Sequence, residues 1–369
     1  MAVSTISATG LASNVSQLGK NLVQNGAMTV AQKGSLALGS GGTTTQIAVD
    51  RWKVGEGGGV SRFTVTQDTD SPTGFSNSIK IDCTTADTSA AGSDFAALQQ
   101  GIEAQNLQHL GYAAAGSLGT TLSFRVKSPK TGIHCVGLTQ MDEERYYIRE
   151  YTVASANTWE THSVYFPGDD DGTITNDTGE GLRVFFALHG AGANQGNGVA
   201  NAWTVWPSSV IKYMTANQVN VFDDAANNFF LSGVQLEVGA IATDFEHEPF
   251  SVTLAKCQRY FFRLNDLDSS MAFMSGQAIS ATRTRAVIHL PVTMRNTAYG
   301  GITLALSDAT HFSARAVNVA KAASGIAAQG SAGGTAVYLD LTIASTTAGD
   351  SILHESDTAN AYVDFSSEI

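Results

Sequence analysis

The segment from Phe229 to Val238 constrains the fold of this chain most strongly, because its side chains alternate between apolar and polar. A period of two over this length predicts a β-strand with one buried face. Gln235 and Glu237 belong to the opposite face. The residues predicted for the buried face are Phe230, Ser232, Val234, Leu236 and Val238. The fold must therefore contain a sheet with a core-facing side to which this strand contributes.

The residues after this strand predict an irregular connection and then a short helix. Gly239 interrupts the alternation, and Pro249 cannot donate a ladder hydrogen bond. The spacing over Thr253–Phe262 fits a helix that buries Leu254, Cys257 and Phe261. We therefore expect one structural unit to end close to this helix.

Short alternating segments separated by Gly, Pro, Asn and Asp recur along the whole chain. About ten to twelve strands are predicted before Phe250. One pair of them, 121–127 and 134–140, reads as a hairpin around Pro129–Gly132. Further strands follow Arg259, and the small residues of Ala320–Gly334 read as a loop. The pattern predicts an all-β protein with a jelly-roll β-sandwich and a smaller C-terminal β-sandwich.

The predicted domains follow from these changes along the sequence. Residues 1–20 are small and polar without periodicity, which predicts an extended N-terminal arm. Residues 21–258 form the jelly-roll domain and residues 259–369 the C-terminal domain. With 369 residues, the chain is long enough for each domain to have its own core.

The composition excludes several classes of protein. The hydrophobic fraction of 43% is too high for a disordered acidic chain. A net charge of −12 without any Lys/Arg-rich run argues against nucleic acid as a partner. No apolar run is long enough for a membrane span, and no signal peptide is recognisable. Cys83, Cys135 and Cys257 lack metal-ligand or redox spacing and are expected to be buried apolar residues.

No catalytic motif is present, so no catalytic residue and no cofactor are predicted. His247 lies between Glu246 and Glu248, but neighbours along a strand point to opposite faces and do not form a site together. The acidic loop that contains Asp169, Asp171 and Asp177 is a candidate Ca²⁺ site, because hard oxygen ligands from one loop suit this ion. The spacing is not that of an EF-hand, and a solvated turn is the alternative.

Several sequence segments occur in a fixed order: NLVQNGAMTVAQKG (Asn21–Gly34), DRW (Asp50–Trp52), IEAQNLQHL (Ile102–Leu110), TLSFRVKSPKTG (Thr121–Gly132), TWETHSVYFPGD (Thr158–Asp169), GVQLEVG (Gly233–Gly239), ATDFEHEPF (Ala242–Phe250) and CQRYF (Cys257–Phe261). This ordered set resembles phage tail-fibre and related virion proteins. The resemblance therefore covers residues 21–262 and ends before most of the C-terminal domain.

This resemblance implies a function in the virion. The chain would be a non-catalytic tail-fibre or receptor-binding subunit, assembled into the tail in the bacterial host cytoplasm. It would form a homotrimer, attach to other virion proteins through its N-terminal arm, and bind a glycan or protein of the host surface, with the receptor site expected in the C-terminal domain. The alternatives are a capsid-decorating or collar protein without a receptor and a tailspike that binds or degrades polysaccharide.

The first domain of this family looks similar to carbohydrate-binding modules, and sugar recognition needs exposed aromatic rings. The candidates are Tyr147 and Tyr151, which share one side of a predicted strand, and Trp203 and Trp206 beside a Gly/Asn-rich loop. Core positions or a subunit contact are the alternative for these residues. Relatives carry Trp where this chain has Arg125, so we expect that face to be polar, and covered by another subunit or facing a different ligand.

Overall fold

The computed structural model describes residues 19–34, 36–38, 45–46, 48–57, 62–88, 94–190, 198–206, 212–267, 271–298, 301–316, 319–344, 346–358 and 361–369. The predicted N-terminal arm lies almost entirely outside these residues. The chain divides into two compact units, one ending at Thr253 and the other beginning at Leu254. The described elements are almost all strands, so the prediction of an all-β fold is confirmed.

The first unit contains thirteen strands in its described residues. They are β1 (Leu36–Leu38), β2 (Thr45–Gln46), β3 (Lys53–Gly57), β4 (Arg62–Asp68), β5 (Ser78–Thr85), β6 (Phe95–Glu103), β7 (Thr120–Lys127), β8 (Gly132–Gln140), β9 (Arg145–Val153), β10 (Glu160–Phe166), β11 (Glu180–Gly190), β12 (Thr204–Val205) and β13 (Asn228–Val238). Two single turns of 3₁₀-helix, Ala104–Asn106 and Gln108–Leu110, follow β6.

These strands form two antiparallel sheets that pack face to face, as in a jelly-roll β-sandwich. One sheet has six strands in the order β1-β4-β5-β13-β7-β10, and the other has seven in the order β12-β9-β8-β11-β6-β3-β2. Their inner faces share one core, in which Trp52, Phe124 and Phe186 are fully buried. Burial of each large apolar side chain stabilises the folded state by about 1.5–3 kcal/mol.

Strand β13 is confirmed, but the predicted buried face is wrong for its first half and for Val238, which is exposed at the end of the strand. A β-bulge interrupts the ladder between Ser232 and Gln235, and Gly233 has a φ of +59°. The extra residue reverses the alternation. Phe229 and Leu231 therefore face the core before the bulge, and Val234 and Leu236 face it afterwards. Phe230 and Ser232 point to the outer side of the sheet.

The predicted hairpin of β7 and β8 is also wrong. Strand β7 pairs with β10 and β13 in one sheet, whereas β8 pairs with β9 and β11 in the other. The segment around Pro129 therefore crosses from sheet to sheet. Phe124 of β7 and Leu138 of β8 both face the shared core, one from each side. Two adjacent amphipathic strands fit a hairpin or a sheet-to-sheet crossing equally well, because both bury one face.

The N-terminal segment of the first unit completes the six-stranded sheet. Strand β5 pairs with β13 only as far as Leu231. Beyond that point, Leu22 N–H donates to the Leu236 carbonyl at 2.8 Å, and Val234 N–H donates to the Gly26 carbonyl at 3.0 Å. The segment that begins at Asn21 thus satisfies backbone groups of β13 that no strand of the described sheet reaches.

In the described part of the chain there is one α-helix, α1 (Phe250–Gln258), which spans the boundary between the two units. It begins three residues before the predicted helix and ends before Tyr260, because Phe261 already belongs to a strand. Cys257 is buried as predicted, whereas Leu254 is only partly buried. The sequence-based boundary after residue 258 falls at the end of this helix. No helix in the described part of the chain is long and apolar enough to cross a membrane.

The second unit contains nine strands in its described residues. They are β14 (Phe261–Leu267), β15 (Met271–Ser280), β16 (Arg283–His289), β17 (Thr303–Leu306), β18 (Phe312–Ala316), β19 (Val319–Ala332), β20 (Ala336–Ile343), β21 (Ser351–Ser356) and β22 (Ala361–Ser366). Six of them close into a barrel in the order β15-β16-β20-β19-β18-β21, and the other three form a sheet in the order β14-β22-β17.

The second unit differs from the predicted sandwich because its main sheet closes on itself. Strand β19 makes this closure possible, since it pairs with both β18 and β20. It covers most of Ala320–Gly334, which the sequence predicts as a loop. Two register shifts, at Ala323/Gly325 and Ile326/Ala328, interrupt its alternation. Such shifts bend a strand around a barrel and also remove the period-two signal.

Candidate functional site

Tyr147 and Tyr151 are wrong as sugar-binding candidates, because both rings lie in the core between the sheets. Their exposed fractions are only 5% and 6%. Tyr147 packs edge-to-face against Phe166 with ring centroids 5.6 Å apart, and Tyr151 packs against Phe124 in the same way at 4.9 Å. Neither ring offers a face on which a sugar could stack.

Trp203 and Trp206 are half-buried and serve the packing of the first unit. The indole N–H of Trp203 donates to the Pro167 carbonyl at 2.9 Å, and its ring packs edge-to-face on Tyr147. Trp206 packs against a second apolar cluster on the outer face of the seven-stranded sheet. Tyr213 lies over this cluster and stacks on Phe95 at 5.0 Å. The chain itself therefore covers this part of the outer face.

The three carboxylates of the candidate calcium loop have different environments. Asp169 is buried, and both of its oxygens accept hydrogen bonds from Arg145, at 2.6 and 3.0 Å. The Asp171 side chain is exposed, and Asp177 accepts a hydrogen bond from Gly179 N–H at 2.7 Å. No group of three or more His, Cys, Asp or Glu side chains is arranged to hold a metal among the described residues.

Arg125 lies on the outer face of the six-stranded sheet, where the chain folds over it. Its guanidinium stacks on the Phe75 ring at 4.6 Å, and Phe75 packs against Phe245 at 4.9 Å. Burial lowers the pKa of Arg125, and Asp244 offsets this in part. The connection after β13 therefore covers this part of the outer face. It also contains His247, whose ring centroid lies 5.1 Å from that of Phe75. Glu246 in this connection is buried and accepts the N–H of Asn21 at 2.9 Å, so it fixes the N-terminal segment.

A row of aromatic and cationic side chains crosses the same outer face farther along the strands. Phe230 of β13 is directly opposite Lys80 of β5 on one side and Lys127 of β7 on the other. Lys127 Nζ lies 4.6 Å from the Phe230 ring centroid and 5.7 Å from that of Trp159, the residue before β10. Lys80 Nζ lies 5.7 Å from the Phe230 centroid. Trp159 itself is half-buried and ends this row at the edge of the sheet.

Asp70 fixes the orientation of the Trp159 ring. Its Oδ1 accepts the indole N–H at 3.0 Å, and its Oδ2 pairs with Lys127. The hydrogen bond from Lys127 is the main reason why the pKa of Asp70 is lowered, although burial opposes this shift and the Trp159 bond adds to it. Lys80 pairs with Asp82 at 3.1 Å. The row therefore combines rings with two cations and two carboxylates, which leaves no net charge.

Tyr165 is a second exposed ring on the same side of β10. Positions 159, 161, 163 and 165 alternate with the inward-facing residues of this strand, so Trp159 and Tyr165 share its outer side. At about 3.3 Å per residue, the two residues lie roughly 20 Å apart. Thr161 and Ser163 are exposed between them. We call this side of β10, from Trp159 to Tyr165, the β10 face.

Gly119 is required for the position of Tyr165 on the β10 face. A Cβ at residue 119 would lie 2.2 Å from the Tyr165 hydroxyl and 2.6 Å from its ring. The ring therefore lies directly across the glycine, with 38% of the residue exposed. A close approach of this kind limits the ring to few orientations.

Sequence reasoning missed the β10 face, although a signal for it exists. Along TWETHSVYF, His162, Val164 and Phe166 share the buried side, so the period of two assigns Trp159 and Tyr165 to the solvent side. An aromatic residue on the polar side of an edge strand is a better indicator of a binding surface than one within an apolar run.

Comparisons with known proteins show similarity of fold only. No family model and no curated protein match this chain. A candidate sugar-binding protein from Bacteroides thetaiotaomicron has 13% identity and a TM-score of 0.34, over 59% of this chain and 100% of that one. The family 11 carbohydrate-binding module from Clostridium thermocellum has 11% identity and a TM-score of 0.28, over 56% of this chain and 97% of that one.

A phage protein is also among the similar structures. The enzymatically active domain of tailspike protein 4 from bacteriophage CBA120 has 12% identity and a TM-score of 0.30, over 60% of this chain and 22% of that one. Structural neighbours are therefore carbohydrate-binding modules and a tailspike domain at low identity. At these TM-scores, the similarity carries no argument about ligand or activity.

Proposed function

We propose that this chain is a non-catalytic attachment protein of a tailed-phage virion, a tail-fibre or receptor-binding subunit that binds a host-surface glycan through its β10 face. The subunit forms a homotrimer and joins other virion proteins through residues 1–20. The virion assignment rests on the ordered sequence segments that resemble tail-fibre proteins. The glycan assignment rests on the geometry of the β10 face.

The segments that carry the resemblance support an architecture rather than a ligand. Asn21 is bonded to β13, since its side-chain amide donates to the Val234 carbonyl at 3.0 Å. Arg51 donates to the Gly101 carbonyl at 2.8 Å, and Trp52 to the Asn25 carbonyl at 3.3 Å. These residues connect the N-terminal segment to both sheets. The resemblance therefore supports a shared scaffold, and one of its segments, Thr158–Asp169, includes the β10 face.

The glycan assignment rests on the indole of Trp159, which is half-exposed and fixed in orientation by its hydrogen bond to Asp70. Sugars present C–H faces that stack on aromatic rings and hydroxyl groups that bond to polar side chains. Asp70 fixes the indole, and the exposed hydroxyls of Thr161 and Ser163 continue along the strand. Because the charges of the row are balanced, this face suits the neutral part of a glycan.

Each such site is shallow, so useful binding requires several sites at once. Three identical faces on one trimer convert the later binding events into intramolecular ones and raise the overall affinity well above that of one site. This is the mechanism by which the particle would stay on a repetitive cell surface.

Binding to cells tests the proposed function. The labelled full-length protein is expected to bind bacteria that the phage infects, and prior periodate oxidation of the cell-surface glycans is expected to abolish this binding. Binding that survives periodate but not protease would instead indicate a protein receptor. Release of reducing sugar from isolated polysaccharide would favour the tailspike alternative.

A further inference from the structure

The two units differ strongly in charge. The unit from Leu254 onwards has 8 of the 21 basic and 9 of the 33 acidic residues of the chain. All but one of the net negative charges therefore belong to the first unit. Bacterial surface polysaccharides that carry acidic groups would be repelled by the first unit but not by the second.

Two arginines lie side by side on the outside of the barrel in the second unit. Arg283 and Arg285 are two residues apart on β16, so their side chains share the outer face, while Ala286 faces the core. Asp340 on β20 is directly opposite Arg285. Arg285 binds it with both nitrogens of its fork, Nε at 2.7 Å and Nη2 at 2.8 Å, and Arg283 Nη2 binds it at 2.5 Å. One carboxylate thus faces two guanidinium groups.

The carboxylate is buried, whereas the arginines remain accessible. Asp340 has a side-chain exposure of 0%, but Arg283 retains 42% and Arg285 40%. Burial alone would raise the pKa of Asp340, but the hydrogen bonds from Arg285 and Arg283 outweigh it, so the pKa is lowered. The carboxylate therefore stays ionised and anchors both arginines with their outer sides toward solvent.

The Tyr338 ring packs against the guanidinium of Arg285. Arg285 stacks on the Tyr338 ring at 4.3 Å. On β19, Gly330 is opposite Tyr338, and a Cβ at this glycine would lie 2.3 Å from the ring. The ring therefore lies flat over Gly330 and under Arg285. A guanidinium fixed by a bidentate carboxylate and a stacked ring loses little conformational entropy when it binds a further group.

Arg283 has a donor that the protein does not use. This donor, Nε, is buried and makes no hydrogen bond in the described part of the chain, so a ligand from solution would meet the exposed 42% of the side chain rather than this atom. Another half-exposed arginine of the barrel, Arg315, differs in this respect. Its Nε binds both oxygens of Glu355, at 2.7 and 2.9 Å, and this pair has one cation for one carboxylate.

We propose that Arg283 and Arg285 form a binding site for an anionic oxygen group, the carboxylate or phosphate of an acidic surface polysaccharide. Guanidinium groups recognise both groups through paired N–H donors. The site goes beyond the proposed function, because it lies in the other unit and does not depend on the β10 face. It gives the barrel a selectivity for charged glycans that the first unit lacks.

Equilibrium dialysis of the full-length protein tests this site with three radiolabelled probes at constant ionic strength: inorganic phosphate, glucuronate and glucose. We expect binding of phosphate, glucuronate or both, and none of glucose. The anion that binds more tightly identifies the source as a phosphate substituent or a uronic acid. Arg283→Gln is expected to weaken binding about tenfold, because one charge-assisted donor set is lost.

Arg315→Gln is the matched control, since it removes another half-exposed arginine from the same barrel. We expect it to change binding less than twofold, and Arg283→Lys, which keeps the charge but loses the fork, to fall between Arg283→Gln and the wild type. The proposal is overturned if neither anion binds at millimolar concentration, or if Arg315→Gln weakens binding as much as Arg283→Gln. Loss of glycan binding through Trp159 would leave these results unchanged.

Discussion

At the scale of single residues, several of the ionisable side chains that the fold buries have specific partners. Asp169 is held by Arg145 in the first unit and Asp340 by two arginines in the second. His354 is fully buried inside the barrel, where its Nε2 lies 2.9 Å from the Thr284 hydroxyl. Burial lowers the pKa of His354 from 6.5 to about 4, and the charge of Asp340 opposes this only in part.

This histidine predicts a pH dependence of the stability of the second unit. Between pH 6.5 and 4, the unfolded chain binds a proton at His354 that the folded barrel does not, so stability falls as the pH falls. The full effect is about 3 kcal/mol, present above pH 6.5 and lost near pH 4. Scanning calorimetry over this range is expected to show a smaller slope for His354→Gln than for the wild type, whereas the exposed His289→Gln keeps the slope. Equal slopes in all three proteins would contradict the prediction.

At the scale of elements, the N-terminal segment is as much a part of the six-stranded sheet as its strands. Gly26 lies against β13 so closely that a Cβ would be 2.0 Å from the Val234 carbonyl oxygen. This contact explains why residue 26 of the segment Asn21–Gly34 is a glycine. The bulge at Gly233 belongs to the same arrangement, because the ladder with β5 ends at Leu231 and the N-terminal segment bonds to β13 beyond that point. The ladder with β7 resumes after the bulge, at Gln235.

Gly26→Ala therefore tests this arrangement. The added methyl group cannot be accommodated without moving the backbone of one of the two segments, so we expect a loss of about 1–3 kcal/mol in the stability of the first unit. Gly325→Ala is the control, because a Cβ at Gly325 meets no atom within 4 Å. Chemical denaturation of both variants measures the difference. A Gly26→Ala variant as stable as the wild type would show that the segment is not held against β13.

The individual strands show which features of the fold can be predicted from the sequence. Strand β13 is predicted almost to the residue, because the alternation over Phe229–Val238 is long. The sequence does not predict that Phe230 points to the outer side of the sheet. A single bulge residue reverses the alternation, and the only sign of it in the sequence is one glycine, Gly233. Strand β19 is missed for the same reason, with two register shifts in fourteen residues. Tyr147 and Tyr151 are misjudged because the sequence gives the spacing of rings but not which side of the strand faces the core.

At the scale of the whole molecule, the chain combines an acidic sandwich that carries the β10 face with a nearly neutral barrel that carries the arginine pair. The proposed trimer would present three copies of each. Light scattering of the purified full-length protein is expected to give about 116 kDa, three times the 38.6 kDa of one chain. A monodisperse species of 38.6 kDa at micromolar concentration would contradict the fibre assignment.

Binding of a host-surface glycan by the β10 face is tested by the affinity of the full-length protein for polysaccharide isolated from host cells. Titration of wild type, Trp159→Ala and Val205→Ala supplies the comparison, since Val205 is an exposed apolar residue of the other sheet. We expect Trp159→Ala to bind at least tenfold more weakly, because the stacking platform is removed at every copy, while Val205→Ala binds like the wild type. Undiminished binding by a folded Trp159→Ala variant would contradict the account.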